Sequence, residues 1–226
     1  MEIENPFGEL KSERLSKPLF PRHIRIGVVG KMCSGKTTLS NHIKAYLSEK
    51  YNIEMKSLTF AGKVYDIAYD LFDMSREKKD RKLLQQIGSM MRQIDKDIWI
   101  KYVMKQAKGK DVMVEDCRYR NEFEALCEDG FLMIKINIDE EYQAERLKKT
   151  YPDTYEQHLA NLTHASEMDI DGLEEEKCAL VLNARDNEKN FEMVREFLDQ
   201  YIEKNHLKKE KKEIGISWSV GQYEYT

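Results

Sequence analysis

The 226-residue chain has no apolar run long enough to cross a bilayer and no charged-then-apolar leader. A membrane protein is therefore not expected, and the sequon at Asn161-Leu162-Thr163 carries no expectation of glycosylation. Cysteine is scarce and unpatterned. Cys33, Cys117, Cys127 and Cys178 form no C-x-x-C pair and have no histidine at metal-ligand spacing. That argues against a zinc ribbon or a disulfide scaffold, and points to a reduced, cytoplasmic setting. An excess of one charge is missing too: 37 basic residues face 41 acidic ones, for a net charge of −4. Broad affinity for nucleic acid or an anionic membrane is not expected, so any cations that matter must act locally. Three of the four prolines, Pro6, Pro18 and Pro21, stand in the first 21 residues. No N-K-x-D motif occurs, which argues against a GTPase, and there are no internal repeats.

What is there is concentrated at residues 30 to 37. Gly30-Lys31-Met32-Cys33-Ser34-Gly35-Lys36-Thr37 is a complete G-x-x-x-x-G-K-[ST] phosphate loop. It follows the apolar run Ile24-Arg25-Ile26-Gly27-Val28-Val29 and precedes a helical pattern opening at Thr37-Thr38-Leu39, the strand–loop–helix context the motif requires. Backbone N–H groups in the turn and the positive end of the following helix make a concave anion site. Gly30, Ser34, Gly35, Lys36, Thr37 and Thr38 are the expected nucleotide-phosphate residues, with the Thr37 hydroxyl as a Mg²⁺ ligand.

Five strand-like segments are expected at 24–29, 53–60, 111–115, 131–138 and 178–183, each short and rich in β-branched or other apolar residues. Helical patterns fall between and after them, at 36–50, 61–73, 78–93, 95–107, 119–129, 140–149 and 187–205. Alternation of the two predicts an α/β domain: a parallel sheet with helices on both faces, in a doubly wound P-loop fold. Residues 1–21 are expected as an N-terminal arm and 22–205 as the P-loop domain. A charged and aromatic tail follows at 206–226, expected to dock on the chain itself or on a partner subunit.

Three segments outside the loop could carry chemistry. The first, Val114-Glu115-Asp116-Cys117-Arg118, ends a buried strand in an acidic pair followed by an arginine. Ligands of open α/β sheets collect beyond the carboxyl ends of strands. There Asp116 could hold Mg²⁺ or orient an acceptor, and Arg118 could grip a phosphate with two N–H bonds. An N-cap acid with surface arginines would give the same letters. The second, residues 83–92, places Gln86 where an amide could read a base edge, with Arg92 further along; a plain amphipathic helix explains that spacing equally well. The third runs from Arg146 through a polar stretch with almost no apolar period, 150–163, to His164, Ser166 and Glu167. It is expected as a mobile lid bringing cationic groups over phosphates, with His164 a hinge or capping residue rather than a metal ligand.

In order, these pieces resemble the viral deoxynucleoside monophosphate kinases, a branch of the P-loop NMP kinase superfamily best known from bacteriophages. The resemblance rests on residues 30–37, Phe60-Ala61-Gly62-Lys63, Leu84-Gln85-Gln86-Ile87-Gly88 to Arg92, and Asp97-Ile98-Trp99. It continues through Val114-Glu115-Asp116-x-Arg118-x-x-x-Glu122 and His164-x-Ser166-Glu167. It implies ATP and Mg²⁺ as cofactors, with Lys63 and Arg92 facing the acceptor monophosphate; Gln86 is a substrate candidate from the helix reading alone. Asp116 and Arg118 would lie between the two phosphate chains, and Arg146 would reach in from the lid. An NMP-binding region at about 61–105, a lid at about 146–166, host cytoplasm as location and compatibility with a homodimer follow from the same source. One departure is that some relatives carry an acid directly after the loop lysine, where this chain has Thr37.

The expected reaction is transfer of the ATP γ-phosphoryl group to a deoxynucleoside monophosphate. Two alternatives stay open: a P-loop kinase of another small phosphorylated acceptor, of the phosphomevalonate kinase type, and a non-catalytic nucleotide sensor or scaffold.

Overall fold

The structure, a computed structural model, describes residues 23–160 and 172–207. The N-terminal arm, the His164-Ser166-Glu167 group and the aromatic tail from residue 208 onward lie outside the described residues. Among the described residues there are five strands: β1 (Arg25–Gly30), β2 (Lys56–Leu58), β3 (Val112–Cys117), β4 (Leu132–Asn137) and β5 (Leu180–Asn183). All pair in parallel, in the order β2-β3-β1-β4-β5. Two consequences position everything that follows. The strand ending in the phosphate loop is central, and the strand carrying the acidic pair is its immediate neighbour.

The helices are α1 (Lys36–Tyr51), α2 (Gly62–Phe72), α3 (Arg81–Ile94), α4 (Ile98–Ala107), α5 (Arg120–Glu128), α6 (Glu140–Thr150), α7 (Tyr155–Ala160) and α8 (Asn187–Asn205). Alternation along each buried strand sends side chains to opposite faces. Ile26, Val28 and Met113 join Leu39, Ile43 and Leu47 of α1 and Val194, Leu198 and Ile202 of α8. Val29, Val112 and Val114 pack with Val64, Ile87, Trp99, Val103 and Phe123 on the other side. The expected α/β architecture, a five-stranded parallel sheet covered on both faces, is the one observed.

Two segments differ from their sequence reading. Strand 53–60 shrinks to three residues. At its start Asn52 adopts a left-handed conformation that ends α1, and the N–H of Ile53 turns back to the Leu47 carbonyl, burying Ile53 as a helix-end contact. At its end the N–H groups of Phe60 and Ala61 leave the ladder for the Asp116 carboxylate. The polar stretch after α6, read as aperiodic, also holds structure. Pro152 opens a single 3₁₀ turn, and α7 follows, with His158 buried against the Tyr151 ring 4.3 Å away. Among the described residues no helix is long and apolar enough to cross a membrane.

Candidate active site

The phosphate loop is shaped by two residues in the left-handed region, Cys33 at φ 61° and Gly35 at φ 99°. A third constraint lies at Gly30, where a Cβ would sit 2.7 Å from the Ile136 carbonyl oxygen and 2.7 Å from Ser34 Oγ. Gly30→Ala is therefore expected to lower stability by about 1–3 kcal/mol through overpacking. A denaturation midpoint equal to that of the wild type would contradict this close approach.

Lys36 opens α1 and folds its ammonium back into the loop, donating to the carbonyls of Gly30 (2.6 Å) and Lys31 (2.8 Å). The helix starts from Gly35 with no side-chain cap from that residue and no acid in its first turn, so the positive end of its dipole points at the loop concavity without a carboxylate of its own. Thr37 and Thr38 are exposed on that first turn.

Helix α6 closes the loop from the β4 side. Gln143, buried, donates through Nε2 to the Met32 carbonyl at 2.9 Å, which fastens the helix to the loop. One turn on, the Arg146 guanidinium stands 3.6 Å from where a Cβ on Gly35 would lie. Its Nη1 and the hydroxyl of Ser34 are both buried with no hydrogen-bond partner among the described residues. Buried polar atoms are normally satisfied, so two orphans facing one glycine-rich turn mark a place built for a polar ligand. Their chemistry, N–H and O–H donors beside an ammonium and a helix N-terminus, fits an anion with several acceptor oxygens. Helix α6 is itself anchored. Asp139 caps it by accepting from the Tyr142 N–H (2.9 Å), and receives Arg185 Nε and Nη2, each at 2.8 Å. The Arg185 guanidinium, with the Tyr142 N–H second, holds the Asp139 carboxyl down at about 2. Beside the loop a small cleft is lined by Ser34, Gly35, Thr38, Asn187, Asn190 and Phe191.

On the other side of β1, Asp116 and Glu115 point apart. Asp116 accepts Phe60 N–H at 2.9 Å on one oxygen and Ala61 N–H at 3.0 Å on the other, fixing the turn that leads to Lys63. Burial pushes its carboxyl up, opposed by those two N–H groups and by the Arg118 charge. Glu115 instead takes Lys44 of α1 at 3.0 Å and Ser57 Oγ at 3.3 Å. Lys63 pairs with Asp66 at 3.3 Å. Arg118 is exposed beside Asp116, and among the described residues its guanidinium takes no hydrogen bond. Arg92 crosses from α3 to lie over the Tyr119 ring, 4.8 Å from its centroid, with Nη2 3.5 Å from Glu122 Oε1. Gln86 is exposed on α3.

Gly30, Ser34, Gly35, Lys36 and Arg146 thus come together at the loop, while the Arg92 side chain and the Arg118 backbone N–H share Glu122 at the start of α5; Gln86 joins neither group. Sequence reasoning missed Gln143, the Asp139–Arg185 tie and the central place of Glu122. Gln143 did leave a signal: it stands four residues before Leu147, on the buried face of α6, where an apolar residue is usual.

A parallel sheet in this order, with a glycine-rich loop between its central strand and a helix, defines a P-loop nucleotide-binding protein. The AAA domain family (AAA_18) matches residues 26–170, more than half of the chain, and the protein belongs to that family. Among solved structures, TT1252 from Thermus thermophilus is similar at 14% identity and a TM-score of 0.50, covering 79% of this chain and 97% of that one. Shikimate kinase from Aquifex aeolicus is similar at 20% identity and a TM-score of 0.45, covering 81% and 99%. A sugar kinase from Janibacter sp. HTCC2649 gives 16% and 0.43, covering 78% and 95%. No curated protein matches the chain.

Proposed function

We propose that the protein is an ATP-dependent kinase that phosphorylates a deoxynucleoside monophosphate, giving ADP and the diphosphate. The observation that carries this reading is the placement of arginines on both sides of the phosphate loop. Arg146 faces the loop from α6, with a buried donor that has no partner among the described residues. Arg118 follows the end of β3, its charge felt by Asp116, and Arg92 reaches Glu122 in the first turn of α5; an acceptor that is itself a phosphate would need cations on this side. A hydrolase has one anion to hold; a kinase of a phosphorylated acceptor has two. The ordered resemblance to viral deoxynucleoside monophosphate kinases supports a nucleotide as that acceptor.

The acceptor phosphate oxygen is anionic at neutral pH, so no general base is required. That oxygen bonds to the γ-phosphorus as the bond from it to the β,γ-bridging oxygen breaks, and ADP leaves with the electron pair. Lys36 and Arg146 neutralise charge on the donor phosphates, while Arg92, Arg118 and Lys63 hold the acceptor in line. Helices α2–α4 form the acceptor side, and α6 with α7 the near part of the lid. Mg²⁺, held by Thr37 and Asp116, would supply further charge neutralisation. Each Asp116 oxygen already accepts one N–H, which leaves a second lone pair on each for a cation or its water.

The exposure of Gln86 favours a second reading, in which the acceptor is a smaller phosphorylated acid with no base to recognise. A coupled ADP-release assay with Mg-ATP separates the two. Deoxynucleoside monophosphates, their ribose counterparts and phosphorylated organic acids are offered in turn. Stimulation by one or more deoxynucleotides is expected. Stimulation by a phosphorylated acid alone would replace the acceptor, and ATP binding without any stimulation would leave a sensor.

A further inference from the structure

At the start of α5 one buried carboxylate, Glu122, touches both the Arg92 side chain and the Arg118 backbone. The Glu122 side chain is only 4% exposed, although it lies in the first turn of α5 at a helix start where carboxylates are usually solvated. Its Oε2 accepts the backbone N–H of Arg118 at 3.0 Å and of Tyr119 at 3.3 Å, and its Oε1 faces Arg92 Nη2 at 3.5 Å. A cap needs only the N–H contacts. The third contact reaches across to another helix and takes hold of a residue of the acceptor group.

We infer that Glu122 is the positioning residue of the acceptor-phosphate clamp, fixing Arg92 from α3 and the backbone that launches Arg118 from β3 to one shared anchor. The inference rests on the kinase reading and adds to it a group that touches neither substrate. A carboxylate in this place is coupled to pH. Burial pushes Glu122 up to about 7, opposed by the Arg118 and Tyr119 N–H groups. Among the charged neighbours Asp116 raises it and Arg92 lowers it, while the Cys117 thiol from β3 is coupled to it as well. Protonation weakens the grip on Arg92, so acceptor binding should tighten as pH rises through the neutral range. The phosphate's own second ionisation, near 6, gives a separate and lower limb.

The test compares steady-state kinetics of the wild type and Glu122→Gln from about pH 5.5 to 9, with thermal melts alongside. The amide keeps the shape and one acceptor oxygen but carries no charge for Arg92. Expected are an acceptor KM raised about 10-fold or more, kcat and the ATP KM changed by less than about threefold, and loss of the limb near 7 with the limb near 6 kept. Arg92→Met supplies a second arm in both backgrounds, and its effect on acceptor KM should be smaller in Glu122→Gln than in the wild type. An acceptor KM and pH profile like those of the wild type in Glu122→Gln would overturn the inference alone. So would an equal rise in both KM values with a lowered melting temperature, which marks a merely structural cap. Absence of any acceptor-dependent turnover in the wild type would overturn the kinase reading, and the inference with it.

Discussion

Lys36→Ala is expected to lower acceptor-dependent kcat/KM by about 10²–10³-fold, equivalent to about 3–4 kcal/mol of transition-state stabilisation. Two losses combine in it. The ammonium is the positive point charge at the mouth of the loop, and it also bridges the carbonyls of Gly30 and Lys31, closing the ring of backbone into which phosphate oxygens fit. A methyl group replaces neither function. The remaining backbone N–H groups and the start of α1 still attract anions, so some ATP binding should persist while turnover collapses. Steady-state ADP release by the purified variant checks this. A rate within about threefold of wild type would remove Lys36 from the chemistry and with it the kinase assignment.

Arg146→Ala should cost a similar factor in rate, about 10²–10³-fold, yet leave stability almost untouched. The reason lies in its orphaned Nη1. A buried donor without a partner costs the folded state about 1–3 kcal/mol, so truncating the side chain relieves a penalty while it removes stem packing and a guanidinium 5.7 Å from the Tyr142 ring. These opposing effects should keep the melting temperature within about 3 °C of wild type, or raise it. Gln143, which fastens α6 to Met32, should behave in the opposite way, because its loss strands a carbonyl rather than freeing a donor. Strain kept at a site and relieved by ligand is the usual signature of function paid for in stability. A large fall in melting temperature for Arg146→Ala, with modest loss of rate, would make Arg146 a packing residue.

Much of this arrangement was legible in the sequence, and the parts that were not share a cause. The loop at 30–37, the alternation of strands with helices and the bounds of α8 follow from patterns local in the chain, where hydrophobic period and glycine placement decide the outcome. Contacts between distant segments decided the rest. Asp116 draws off the N–H groups of Phe60 and Ala61, so β2 ends sooner than its apolar run suggests. Arg92, indistinguishable by spacing from a solvated helix residue, is drawn to Glu122, thirty residues away in sequence. Gln143 stands on the buried face of α6, but the carbonyl it holds is seen only once α6 is laid against the loop. The joining of the Arg92 side chain and the Arg118 backbone through one carboxylate is a property of three elements at once, which no periodicity within any one of them could show.

The account stands or falls on where the γ-phosphoryl group goes. Incubating the protein with Mg-ATP labelled in the γ-phosphate and each deoxynucleoside monophosphate, then separating the nucleotides, reads this directly. Label in a deoxynucleoside diphosphate, absent with Lys36→Ala, is the result expected. Label that stays in ATP or appears only as inorganic phosphate, whatever deoxynucleotide is offered, would contradict it.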